Sequence, residues 1–128
     1  MTTTIGFLGA GHMGAAIISG LLADEENAFS SKHIHASCRT PASAAALKQI
    51  HGITAHTDNR RLVKDCDYII LGVKPAQMKA VLDELADCNL DDKILITLAA
   101  GIRLEHYRRI LGDDAVIIRA MPNIAASH

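Results

Sequence analysis

The chain has no tryptophan and only two phenylalanines and two tyrosines. Aromatic rings therefore cannot fill its interior, and Ala, Ile, Leu and Val must do so, the aliphatic set used by central parallel strands and the helices packed on them. It holds only three cysteines, Cys38, Cys66 and Cys88, an odd number without C-x-x-C spacing. That excludes a disulfide framework or a cysteine-based zinc site and points to reduced thiols in a reducing compartment. A charge excess of either sign is also missing, the formal net charge being −1, so nothing marks a nucleic-acid or membrane partner. No run of about 18 unbroken apolar residues exists, which excludes a transmembrane helix on pattern. Thr2 to Leu22 lacks Asp, Glu, Lys and Arg, yet Gly6, Gly9, Gly11 and Gly14 interrupt it and no basic segment precedes it, so it does not read as a signal peptide.

What is present is one domain's worth of chain, 128 residues, with alternating strand and helix patterns. Apolar, β-branched runs at Ile5–Gly9, Ile34–Arg39, Ile53–His56, Tyr68–Val73, Ile94–Ala99 and Ala115–Met121 predict six strands. Most are continuously apolar, as strands covered on both faces are. Helical stripes lie between them: Met13, Ile17, Leu21 and Leu22; Met78, Val81, Leu82 and Leu85; Leu104, Tyr107, Ile110 and Leu111. Pro41 opens an alanine-rich helix that stops before Gly52, and Asp58 to Asp65 predicts a shorter one. Repeated strand–helix alternation implies right-handed crossovers and an α/β fold. The expected architecture is a Rossmann-like three-layer αβα sandwich around a doubly wound parallel sheet of order 3-2-1-4-5-6.

Gly9-Ala10-Gly11-His12-Met13-Gly14 is a G-x-G-x-x-G loop that follows the first strand and opens the first helix. In that context Gly9 takes the tight turn and Gly11 lets the backbone approach a pyrophosphate. Gly14 lets the helix pack closely on the strand. The free N–H groups of the helix start then face phosphate. At the end of the second strand an acid would hold the ribose of NAD, but the chain reads Ser37-Cys38-Arg39-Thr40. A guanidinium flanked by hydroxyls suits a 2′-phosphate, so NADP is the expected cofactor, with NADPH preferred over NADH.

Four motifs together carry a family resemblance: Ile5 to Gly14, Val73-Lys74-Pro75, Ala99-Ala100-Gly101-Ile102, and Ile118-Arg119-Ala120-Met121-Pro122-Asn123. In this order and at these intervals the chain resembles the pyrroline-5-carboxylate reductases. The resemblance implies reduction of 1-pyrroline-5-carboxylate to L-proline with NADPH or NADH, the last step of proline biosynthesis, in the cytoplasm. It assigns the pyrophosphate to Gly11, His12 and Met13, and the 2′-phosphate to Ser37, Arg39 and Thr40. Asn59 falls near the adenosine ribose. Val73, Lys74 and Pro75, with Ala99, Ala100 and Gly101, line the nicotinamide half, and Asn123 lies beside the nicotinamide and the substrate. Members of that family carry a second, helical domain that forms a dimer and most of the substrate pocket. Residues 1–128 are expected to be the single cofactor domain without it, so the dedicated catalytic residues fall outside this chain and the isolated chain binds cofactor without turnover. Family members continue the last motif with Thr-Pro-Ala, whereas this chain has Ile124-Ala125-Ala126, a departure at the expected domain junction.

No residue here is an obvious dedicated proton donor. Lys74 ends a central strand, although its side chain equally suits a solvated turn. The seven histidines include His33 with His35 and His51 with His56, and neither pair has the partners of a metal site, so none is expected. Two alternatives stand beside the reductase reading. One is a related imine or hydroxyacid reductase, against which the Ala99-Ala100-Gly101 loop argues because hydroxyacid enzymes carry a serine-rich loop there. The other is a non-catalytic NADP-sensing module, which the fold alone does not separate from an enzyme.

Overall fold

A computed structural model describes residues 3–9, 12–23, 30–99 and 101–120, with His12 and Met13 described in backbone only. Among the described residues six strands alternate with five α-helices: β1 Ile5–Leu8, α1 His12–Ala23, β2 Ile34–Ser37 (preceded by a 3-10 turn, Ser31–His33), α2 Pro41–His51, β3 Thr54–His56, α3 Asn59–Asp65, β4 Tyr68–Leu71, α4 Pro75–Leu85, β5 Ile94–Thr97, α5 Leu104–Leu111 and β6 Val116–Arg119. All strand pairs are parallel and the sheet order is β3-β2-β1-β4-β5-β6, as the alternation implied. The strands are shorter than their apolar runs. Hydrophobic sequence continues past the last ladder bond into the turns, so β2 ends at Ser37 instead of Arg39, β4 at Leu71 instead of Val73, and β5 at Thr97 instead of Ala99. β1 stops before Gly9, and β6 starts at Val116 and ends at Arg119; Met121 lies outside the described residues.

Strand side chains alternate between two cores. Ile5, Phe7, Ile34, Ala36 and Ile70 point to the side that Ile18 of α1 and Leu47 of α2 cover. Leu8, Ile69, Leu71, Leu95 and Ile117 point to the other, against Leu62 and Val63 of α3, Met78, Leu82 and Leu85 of α4, and Tyr107 of α5. Burial on both faces explains why β1 and β4 read as unbroken apolar runs. The first core is narrower. Val116 and Ile118 are 51% and 48% exposed on the face where α1 and α2 sit over the opposite half of the sheet.

The caps follow local chemistry. Thr40 Oγ1 accepts the Ser43 amide (3.1 Å) with Pro41 in the first turn of α2, and Gly52 (φ 69°) closes that helix left-handed. Asp58 Oδ1 accepts the Arg60 and Arg61 amides, so the expected helix from Asp58 starts one residue later, with Asp58 as its cap. Among the described residues no helix is long and apolar enough to cross a membrane.

Candidate cofactor-binding site

β1 and β4 are neighbours in the sheet, and from their carboxyl ends the chain winds away in opposite directions. This reversal opens a crevice at the strand ends, the usual ligand position in doubly wound sheets. Backbone forms its floor. The Gly72 amide donates to the Leu8 carbonyl (2.8 Å) and the Gly9 amide to the Ser37 carbonyl (2.9 Å), which ties the ends of β4, β1 and β2 together. Gly9 has φ +74°, and a Cβ there would stand 2.6 Å from Val73 Cγ1; a Cβ on Gly72 would stand 2.3 Å from the Gly9 carbonyl oxygen. Any side chain at either position would fill the crevice.

Above this floor runs a groove of about 470 Å³ between the starts of α2 and α4, lined by Gly9, Arg39, Ser43, Val73, Lys74 and Gln77 together with Cys38, Ala46, Leu47 and Gly72. Among the described residues it holds two cationic side chains and no acidic one. Lys74 is the N-cap residue of α4, and its side chain makes no hydrogen bond to the helix. α1 opens beside the crevice at His12 with no acid in its first turn, so its leading amides keep their attraction for an anion. A long anionic ligand that needs close backbone approach at one point and positive charge at another fits these residues. Burial raises the Cys38 thiol above its ordinary value, so this groove residue stays protonated and uncharged near neutrality. A wider cavity of about 820 Å³ lies at the opposite end of the sheet, but Asp91, Asp92 and Asp114 line it, which suits an anionic ligand poorly.

The structure separates the residues expected to act together. Gly9, Arg39, Val73 and Lys74 share the groove, and Gly14 is buried in the first turn of α1. Ser37, at the end of β2, is only 2% exposed, and its hydroxyl donates to Asn59 Oδ1 at 2.5 Å. The Asn59 amide donates in turn to Glu84 Oε1 of α4 at 2.7 Å. The Thr40 hydroxyl is engaged with Ser43 as a cap, and Pro75 is the first residue of α4. Ala99 is buried, its amide donating to Thr97 Oγ1 (3.2 Å), while Gly101 (φ +86°) lines a separate cavity of about 440 Å³ with Arg103, His106 and Arg109. Gly11, Ala100 and Asn123 lie outside the described residues, as do the side chains of His12 and Met13.

Cys38, Ser43, Ala46, Leu47, Gly72 and Gln77 were not anticipated as groove residues. A signal existed for Gly72, a glycine at the end of an otherwise apolar strand, because such a glycine marks close approach of another backbone. For Ser43, Ala46, Leu47 and Gln77 there was none, since helix patterning alone does not say which turn overhangs the sheet end.

Over 126 residues the chain is 37% identical to the pyrroline-5-carboxylate reductase of Escherichia coli, a match covering 98% of this chain and 46% of the relative. It is 36% identical over 123 residues to the enzyme of that name from Methanosarcina acetivorans, covering 96% and 45%. The solved structure of a pyrroline-5-carboxylate reductase from Coxiella burnetii superposes with a TM-score of 0.86 at 34% identity, over 96% of this chain and 45% of that one. The resemblance drawn from the four motifs thus extends over nearly the whole chain, which itself spans less than half the length of these relatives. Residues 4–101 match the family described as NADP oxidoreductase, coenzyme F420-dependent, and with this glycine-floored crevice at its centre the chain belongs to that family.

Proposed function

We propose that this chain is the single cofactor-binding domain (residues 1–128) of an NADP(H)-dependent pyrroline-5-carboxylate reductase. The observation that carries the proposal is the groove at the sheet's reversal point, floored by Gly9 and Gly72 and lined by Arg39 and Lys74 with no acid. An Asp or Glu there would repel a 2′-phosphate, whereas Arg39 offers a planar fork of donors to it. The names of the relatives, which match nearly all of this chain, support the substrate, 1-pyrroline-5-carboxylate, and the product, L-proline.

In this scheme Gly11, His12 and Met13 hold the pyrophosphate through backbone amides at the start of α1, while Gly9 makes the tight turn and Gly14 lets the helix pack on the strand. Arg39 pairs with the 2′-phosphate at the end of β2, with Ser37, Thr40 and Asn59 shaping the adenosine end. Val73, Lys74 and Pro75, with Ala99, Ala100, Gly101 and Asn123, line the nicotinamide half, Lys74 adding a second cation to the groove of Arg39. NADPH supplies the hydride when bound, and this chain's residues orient it and keep its phosphates neutralised. None of these residues is assigned as proton donor to the imine. That group and most of the substrate pocket belong to a second, helical domain of the longer protein, a dimer-based, cytoplasmic enzyme.

Calorimetric titration of NADPH and NADH into the chain, beside Arg39→Ala, tests the assignment. NADPH should bind more tightly and Arg39→Ala should remove that margin, about 1.5 kcal/mol, the lower end for a charge-assisted contact because Arg39 is exposed. Equal affinity for both cofactors, unchanged in the variant, would refute the 2′-phosphate site. Steady proline formation by these residues alone would refute the division of labour between domains.

A further inference from the structure

Glu84 lies near the C-terminal end of α4, away from the helix start that lines the groove, and no cofactor-binding pattern in the sequence includes it. Its carboxylate nevertheless ends a directed chain of hydrogen bonds. Ser37 Oγ donates to Asn59 Oδ1, and Asn59 Nδ2 donates to Glu84 Oε1. Behind it Arg60 approaches Glu84 Oε2 at 4.0 Å and Asp87 at 3.4 Å. A carboxylate accepts and does not donate, whereas an amide side chain presents either end with equal ease. Glu84 therefore decides which end of Asn59 faces α4. Turning the amide over would set Oδ1 against the carboxylate oxygen and lose the bond. With the NH2 group held toward Glu84, Oδ1 must face β2, and the Ser37 hydroxyl must give its proton to it.

We propose that Glu84 is a positioning residue for the adenosine end of the cofactor groove, acting through the Asn59 amide and the Ser37 hydroxyl. The three side chains come from α4, the start of α3 and the end of β2, and Ser37 leads directly into Cys38 and Arg39, two walls of the groove. Holding Asn59 in one orientation fixes the polarity of that corner. The Ser37 hydroxyl spends its proton on Asn59 and has only lone pairs left, Asn59 keeps one N–H and one lone pair, and donation to a 2′-phosphate falls to Arg39. The proposal rests on the cofactor assignment to this groove, but the orientation of the amide is a property of the free chain and is measured without any ligand.

Glu84→Gln keeps an acceptor oxygen but adds an NH2 donor and removes the charge, so it can bond Asn59 by either end, while Glu84→Ala removes the partner altogether; comparing the two separates the hydrogen bond from electrostatics on the phosphate. In amide-correlation NMR of the ligand-free chain, the two Asn59 side-chain protons should be well separated in wild type and less so in Glu84→Gln, whose amide can meet either end of Asn59. They should draw together in Glu84→Ala, where the group loses its partner. In titrations, Glu84→Ala should bind NADH and NADPH roughly 5–10-fold more weakly than Glu84→Gln, the scale of one lost neutral hydrogen bond. In an Asn59→Ala background the two Glu84 variants should bind alike, since the effect is transmitted through Asn59. An unchanged Asn59 amide in Glu84→Ala, or an equal loss with and without Asn59, overturns the proposal even if cofactor binds normally. A wild-type chain that binds neither cofactor overturns the assignment of the groove, while the NMR comparison still judges the role of Glu84 at the amide.

Discussion

Gly72 offers the most direct test of the crevice. Its added Cβ would stand 2.3 Å from the Gly9 carbonyl oxygen, and real contacts of this kind do not fall below 3.0 Å, so the ends of β1 and β4 must part by at least about 0.7 Å in Gly72→Ala. The neighbour is backbone, held by the Gly72 amide on the Leu8 carbonyl and the Gly9 amide on the Ser37 carbonyl, so no flexible side chain can absorb the movement. Overpacking of this size costs about 1–3 kcal/mol, which for a domain of this length lowers Tm by roughly 3–10 °C. Gly20 is the control. It sits on an exposed turn of α1 with nothing within 4 Å of an added Cβ, so Gly20→Ala should stabilise by about 0.5–1 kcal/mol. Thermal denaturation followed by circular dichroism, with NADPH titration of each variant, reads both effects. Gly72→Ala should lose stability and cofactor affinity together, and Gly20→Ala should gain stability at wild-type affinity. A Gly72→Ala chain that melts and binds like wild type would refute the close approach and with it the backbone floor of the groove.

Three further outcomes follow from groups away from the groove. Thr97 Oγ1 and Tyr107 Oη share a 2.7 Å hydrogen bond between two fully buried side chains, so Tyr107→Phe, which keeps the ring and leaves the threonine oxygen only the Ala99 amide, should cost about 0.5–1.5 kcal/mol in urea denaturation; a cost near zero would mean that the bond contributes nothing. Burial lowers the pKa of His35 and of His56 below the ordinary 6.5, and the nearby Arg61 lowers both further, against the opposing pull of Asp65. Below 6.5 the unfolded chain takes up protons before the folded one, so stability should be full above that pH and decline as the pH falls through the lowered folded values. His35→Gln with His56→Asn should flatten the decline, and an unchanged slope would assign it to other groups. Cys66 is buried under Gly6, its thiol pushed up to about 12 chiefly by burial and then by Asp65; at pH 8 it should stay unlabelled by iodoacetamide in the native chain and react on unfolding, as peptide mapping would show. Labelling of native Cys66 at the rate of an unfolded thiol would contradict that burial.

The order of elements, the parallel sheet and its strand order were legible in the residues themselves. Continuous β-branched runs, helical stripes and the Pro41 and Gly52 boundaries are local signals, and handedness leaves few ways to connect six such units. The glycine loop and the acid-free end of β2 were legible for the same reason, because they depend on which residues stand next to one another in the chain. Strand ends were not. Leu71-Gly72-Val73 continues an apolar run, and only the last ladder bond and the crowding at Gly72 show where β4 stops and the groove begins.

What tertiary structure alone decided is which distant residues meet. Arg39 and Lys74 stand 35 positions apart in the chain and line one groove because β2 and β4 flank β1. Ser37 was expected to face the 2′-phosphate, yet its hydroxyl is turned inward to Asn59, and that amide is held by Glu84 from a helix whose own pattern signals only packing. Sequence determines local conformation through steric preference and hydrophobic period, which act over a few residues. The partner of a hydrogen bond is set by the superposition of sheet register and helix docking, and no spacing in the chain encodes that sum.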